Sequence, residues 1–154
     1  MTLNALQSLP LVATEAGHVL ITEGEALRGL YFLETGEVEV LRKGVLIAEV
    51  FEPGAVLGEM SWLLGTTPTA TVRTTSPATF RHIAEPREFV LRNPEIALHI
   101  AAILARRVDS LGRYLVDIKH QFQARADHLG IIDEVLDALM HKHPRQVPRR
   151  AVGD

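Results

Sequence analysis

The chain has 154 residues, 47% of them apolar, a net charge of −3 and no cysteine. That length fits one domain with an appendage and a sizeable core; the missing cysteine excludes disulfides, zinc thiolates and thiol chemistry, and the charge gives no electrostatic basis for nucleic acid as a partner. No apolar run approaches the ~20 residues that cross a bilayer, and the opening MTLNALQSLP has no basic region leading into an apolar core, so neither signal peptide nor anchor is expected and the location is cytoplasmic.

Up to about Glu85 the pattern is short and alternating. Strands are expected at His18–Thr22, Gly29–Glu34, Glu37–Arg42, Val45–Phe51, Thr69–Thr75 and Ala78–Ile83. Turn signals separate them: Glu23-Gly24-Glu25, Thr35-Gly36, Lys43-Gly44, Pro53-Gly54 and Ser76-Pro77. Several short strands at this spacing point to an all-β barrel or jelly roll.

After Glu85 the period becomes helical. Glu85-Pro86-Arg87-Glu88 places a proline at a helix start with acids in the first turn. Asn93-Pro94-Glu95 repeats the logic, with Asn93 as N-cap, and a helix of about 45 Å follows to roughly Phe122, with Gly112 its one weak spot. Ala101, Leu104, Val108, Leu111, Leu115, Ile118 and Phe122 recur at steps of three and four, which is a coiled-coil seam. So long a helix extends past so small a barrel, which favours self-association through Leu104, Val108, Leu111, Leu115, Ile118 and Phe122 over packing on the chain's own strands. Gly130 punctuates, and Ile131, Ile132, Val135, Leu136, Leu139 and Met140 form the apolar face of a short closing helix. The segment from His141 to Arg150 is basic and proline-punctuated; a solvated tail is favoured over a phosphate contact. The chain thus divides into a mainly β region over 1–84, a hinge and long helix over 85–126, and a closing helix with basic tail over 127–154.

The stretch from Gly58 to Val72 carries the chemistry. A Gly-Glu pair opens it, a short apolar turn follows, and Thr-Ala-Thr-Val enters a strand. A loop and short helix of this kind can wrap an anion: Gly58 allows close backbone approach, and Met60 and Ser61 offer N–H groups from a helix start. At the closing end, over Pro68, Thr69, Ala70 and Thr71, the two threonines can add hydroxyl donors. Trp62 and Leu63 are expected in the core.

In order along the chain, Gly17-x-x-Leu20-Ile21-x-Glu23-Gly24, Tyr31-x-x-x-x-Gly36-x-Val38-x-Val40, Gly54-x-x-x-Gly58-Glu59, Thr71-Val72-Arg73 and Asn93-Pro94-Glu95 resemble the motifs of the cyclic nucleotide-binding domain, as found in the sensor region of Crp/Fnr-type regulators. The similarity runs from about 17 to 122. It implies a jelly-roll sensor with 58–72 as phosphate-binding cassette and Glu59 accepting a hydrogen bond from a ribose hydroxyl. It also implies signalling in which the ligand orders the cassette, the cassette pushes the hinge near Glu85–Asn93, and the long helices repack. Two departures qualify this. Ligand-binding members carry an arginine shortly before the closing valine; here the position falls on Pro68, or on Thr69 if the prolines are aligned. A charge-assisted contact is worth roughly 1.5–3 kcal/mol, so its loss costs about one to two powers of ten in affinity. Arg73 and Arg28 are substitute cations, and for Arg73 an exposed strand position is the favoured reading. Second, no helix-turn-helix module can be placed, so direct DNA binding is not expected.

No Ser-His-Asp arrangement, P-loop or paired acids appear, and His141-x-His143 lacks a third ligand, so neither enzyme activity, a metal nor a resident cofactor is expected. The reading is a stand-alone dimeric sensory domain for cAMP, cGMP or another small anion. The alternatives are an interaction module with a degenerate pocket, docking through Ile131–Met140, and a transcription regulator that acts with a separate DNA-binding partner or through the basic tail.

Overall fold

A computed structural model describes residues 4–121 and 126–141; Phe122 and the tail beyond His141 lie outside them. Contacts cluster into two compact units, dividing between Ala101 and Ala102.

The first unit opens with a 3-10 turn at Asn4–Ser8. Its strands are β1 (Leu11–Thr14), β2 (Val19–Ile21), β3 (Leu30–Thr35), β4 (Val38–Arg42), β5 (Val45–Val50), β6 (Val56–Leu57), β7 (Thr71–Thr74) and β8 (Ala78–Ile83), with helix α1 (Glu59–Leu64) between β6 and β7. They form two antiparallel four-stranded sheets ordered β1-β8-β3-β6 and β2-β7-β4-β5, the jelly-roll arrangement expected from the turn spacing. Leu33, Val38 and Phe80 are almost wholly buried, and Ile21, Leu57 and Val72 join the same apolar cluster.

All six expected strands form. Two more were not legible. Strand β1 is a half-exposed edge held by β8 in the register Leu11↔Arg81 to Thr14↔Ala78. Strand β6 has only two residues, too few to show a period, and exists because Val56 and Leu57 meet Phe32 and Tyr31 of β3. Strand β5 is the edge of its sheet and leaves Val45, Leu46 and Ile47 exposed.

Helix α2 (Pro86–Arg92) starts on Pro86, as expected. Asn93 departs from its expected role: its side-chain Nδ2 donates to the Phe89 carbonyl at 2.9 Å and so closes the end of α2. Only its backbone carbonyl serves the next helix, accepting from Ile96 N–H. Helix α3 spans Pro94–Gln121 and passes through Gly112 without a break. Its first turns belong to the first unit, where Ile96 and Ile100 are buried.

The second unit holds the rest of α3 and helix α4 (Ala126–Met140). The expected punctuation at Gly130 does not occur: α4 begins four residues earlier and runs through it. A helical glycine costs only about 1 kcal/mol, which the apolar face of the following turns outweighs.

Candidate functional site

Strand β6 delivers the chain to Gly58, which takes φ +94°. A Cβ there would lie 3.1 Å from Leu27 Cδ1 and 3.3 Å from both the Gly29 carbonyl oxygen and Ile21 Cδ1. Conformation and space therefore both demand glycine. The Gly58 carbonyl accepts the Trp62 N–H at 3.1 Å and the Ser61 hydroxyl at 3.3 Å, which starts α1. Glu59 is only 4% exposed and Ser61 is also buried, whereas Met60 faces solvent. An acid in the first turn suits the positive end of the helix dipole. The helix stops at Gly65, again left-handed, with the N–H groups of Gly65 and Thr66 returning to the carbonyls of Trp62 and Ser61. Leu63 and Leu64 are more than half exposed and Trp62 is half-buried. The expectation that Trp62 and Leu63 are core thus fails for Leu63, which is exposed although it stands one turn after buried Glu59.

The closing end is fixed differently. Pro68 is buried, and its carbonyl accepts the Gly24 N–H at 2.8 Å. Thr69 is exposed and Ala70 half-buried. Thr71 Oγ1 accepts the Glu23 N–H at 3.1 Å, leaving its own hydroxyl hydrogen to donate. The Glu23 carboxylate in turn accepts the Lys43 N–H at 2.9 Å. The turn after β2 is therefore a brace for the cassette. In the sequence Glu23-Gly24-Glu25 signals only a turn, and nothing local marks what its N–H groups bind. Both ends of the cassette meet at Ile21, which pairs with Val72 in register and touches the Gly58 position.

Of the two substitute cations, Arg73 is already engaged. Arg73 faces Glu39 across the β4–β7 ladder, and its Nε donates to the Glu39 carboxylate at 2.7 Å. The backbone carbonyl of exposed Arg28 accepts a hydrogen bond from His82 Nε2 at 2.8 Å. The His82 ring stacks on Tyr31 with centroids 4.5 Å apart. Burial pushes the Tyr31 hydroxyl pKa up, and the Arg28 charge works against that shift.

In the second unit the expected seam is divided. Leu104 and Val108, with Gly112 and Val116, line a groove of about 840 Å3 whose other wall is Leu136 and Leu139 of α4. Leu111 is exposed, and Leu115 and Ile118 are half-buried. A Lys119–Asp133 ion pair links α3 to α4. Among the described residues no three histidine or carboxylate side chains gather as metal ligands, and no described helix is long and apolar enough to cross a membrane.

The sequence model of the cyclic nucleotide-binding domain matches residues 11–87, half of the chain. The chain belongs to the cyclic nucleotide-binding domain family. No curated protein sequence matches it. Among solved structures it is similar to the catabolite activator protein of Thermus thermophilus, at 22% identity and TM-score 0.59, over 90% of this chain and 79% of that one. The N-terminal domain of a transcriptional regulator from Streptomyces coelicolor A3(2) follows at 23% identity and TM-score 0.53, over 70% and 81%. The sensor domain of the regulator DNR from Pseudomonas aeruginosa follows at 24% and 0.51, over 69% and 75%. At these identities the likeness is one of fold. This cyclic nucleotide-binding domain has no lysine, arginine or histidine from Gly58 to Val72.

Proposed function

We propose that this domain is a dimeric, cytoplasmic, non-enzymatic regulatory module. Its cassette binds a cyclic nucleotide or another small anionic ligand without a cassette arginine, and α3 carries the dimer seam. The buried Glu59 at the head of α1 carries the reading: a carboxylate held inside the cassette can accept a ligand hydroxyl. Gly58, Met60, Ser61, Thr69, Ala70 and Thr71 would supply close backbone approach and further donors, with Pro68 shaping the closing end. Isothermal titration with cAMP and cGMP tests it, and a folded protein that gives no heat with millimolar ligand removes the cyclic-nucleotide version.

The burial of Pro68 against the β2–β3 turn favours a second reading, in which the pocket is closed and the domain is an interaction module. The two candidate arginine positions separate the readings. Arginine at buried Pro68 should unfold the cassette, whereas arginine at exposed Thr69 should be tolerated. If the pocket lacks only its cation, Thr69→Arg raises cyclic nucleotide affinity by about 10- to 100-fold in the same titration. A folded Thr69→Arg protein with no gain supports the closed pocket.

A further inference from the structure

We propose that His99 is a positioning residue that ties the start of α3 to the loop delivering the cassette. His99 is half-buried and lies between Ile96 and Ile100, both buried. Its ring nitrogen Nε2 donates to the Gly54 carbonyl at 2.8 Å, which fixes the Nε2–H tautomer. Its ring also lies 6.4 Å, centroid to centroid, from Phe32, one of the most deeply buried side chains of the barrel. Gly54 has φ +88°, and a Cβ there would sit 3.6 Å from His99 Nε2. The imidazole thus covers the turn at contact distance.

That turn is itself stitched to β3. Gly54 N–H donates to the Leu33 carbonyl at 2.7 Å, and Leu33 N–H donates to the Ala55 carbonyl at 2.9 Å. Only Ala55, Val56 and Leu57 separate Gly54 from Gly58, and all three are buried. A shift of the Gly54 carbonyl therefore passes along a packed segment to the head of α1, and a shift of His99 passes back the same way. Coupling of this kind is reciprocal: whatever reorders the cassette must strain or release the latch, and reseating α3 must move the cassette. The consequence for signalling rests on the proposed function; the latch can be read in ligand-free protein.

Trp62 is the chain's single tryptophan and sits in α1, so its fluorescence reports the cassette. His99→Phe keeps a ring but cannot donate; His99→Gln keeps a donor. Acrylamide quenching of Trp62 in native, ligand-free protein is expected to rise about twofold in His99→Phe and to return toward wild type in His99→Gln. Thr35→Val, which removes the 2.7 Å Thr35–Thr79 side-chain bond away from the cassette, should lower the urea midpoint without changing quenching. Unchanged quenching in a folded His99→Phe protein overturns the proposal. Should that variant not fold, nitrogen-15 NMR of wild-type imidazoles decides: a protonated Nε2 on His99, assigned by its loss in His99→Gln, supports the latch, and a bare Nε2 sinks it.

Discussion

The two ends of the cassette are held by different forces. The opening end is fixed by shape: Gly58 adopts a left-handed conformation in a space bounded by Leu27, Gly29 and Ile21, and the chain then turns Glu59 inward. The closing end is fixed by hydrogen bonds from a neighbouring turn, with Gly24 N–H on Pro68 and Glu23 N–H on Thr71. Shape tolerates almost no substitution, whereas a brace of backbone donors is indifferent to the charge of the residues between its anchors. Thr69 lies between those anchors and is exposed, so the fold does not depend on a cation there.

The contrast can be broken by substitution. Gly58→Ala should cost most, about 2–4 kcal/mol, from left-handed strain plus overpacking against Ile21 and Leu27. Urea unfolding followed by Trp62 fluorescence measures it, and a loss below that of Thr71→Val reverses the comparison. Thr71→Val keeps the shape and leaves the Glu23 N–H without its acceptor, for an expected loss of about 1–2 kcal/mol in the same assay. Smallest is Arg73→Ala, expected to cost less than about 1 kcal/mol, because its ion pair with Glu39 is close to half exposed on the arginine side. Ligand affinity should not move with it; a tenfold loss in titration would make Arg73 the missing phosphate contact after all.

Much of this molecule was legible before any coordinates. Turn residues at fixed spacing and alternating runs gave six strands, and the proline starts gave α2 and α3. What escaped was decided at a distance. Strand β1 and strand β6 carry no period of their own and are strands because β8 and β3 lie beside them. Asn93 looked like an N-cap and instead closes α2, since the same amide can serve either neighbour and only the hinge geometry chooses. Leu63 looked like core, but it is exposed one turn after buried Glu59.

By itself the sequence determined the family and the absence of a cation from Gly58 to Val72, because those are matters of which residues stand in which order. Only the tertiary structure decided that Pro68 is walled in while Thr69 is open. It also decided that Arg73 is matched by Glu39, that Glu23 and Gly24 brace the cassette, and that His99 reaches Gly54. Each of these joins residues more than thirty positions apart, apart from nothing in their local pattern. A hydrogen bond depends on where two groups are placed in space, and local periodicity carries no record of that.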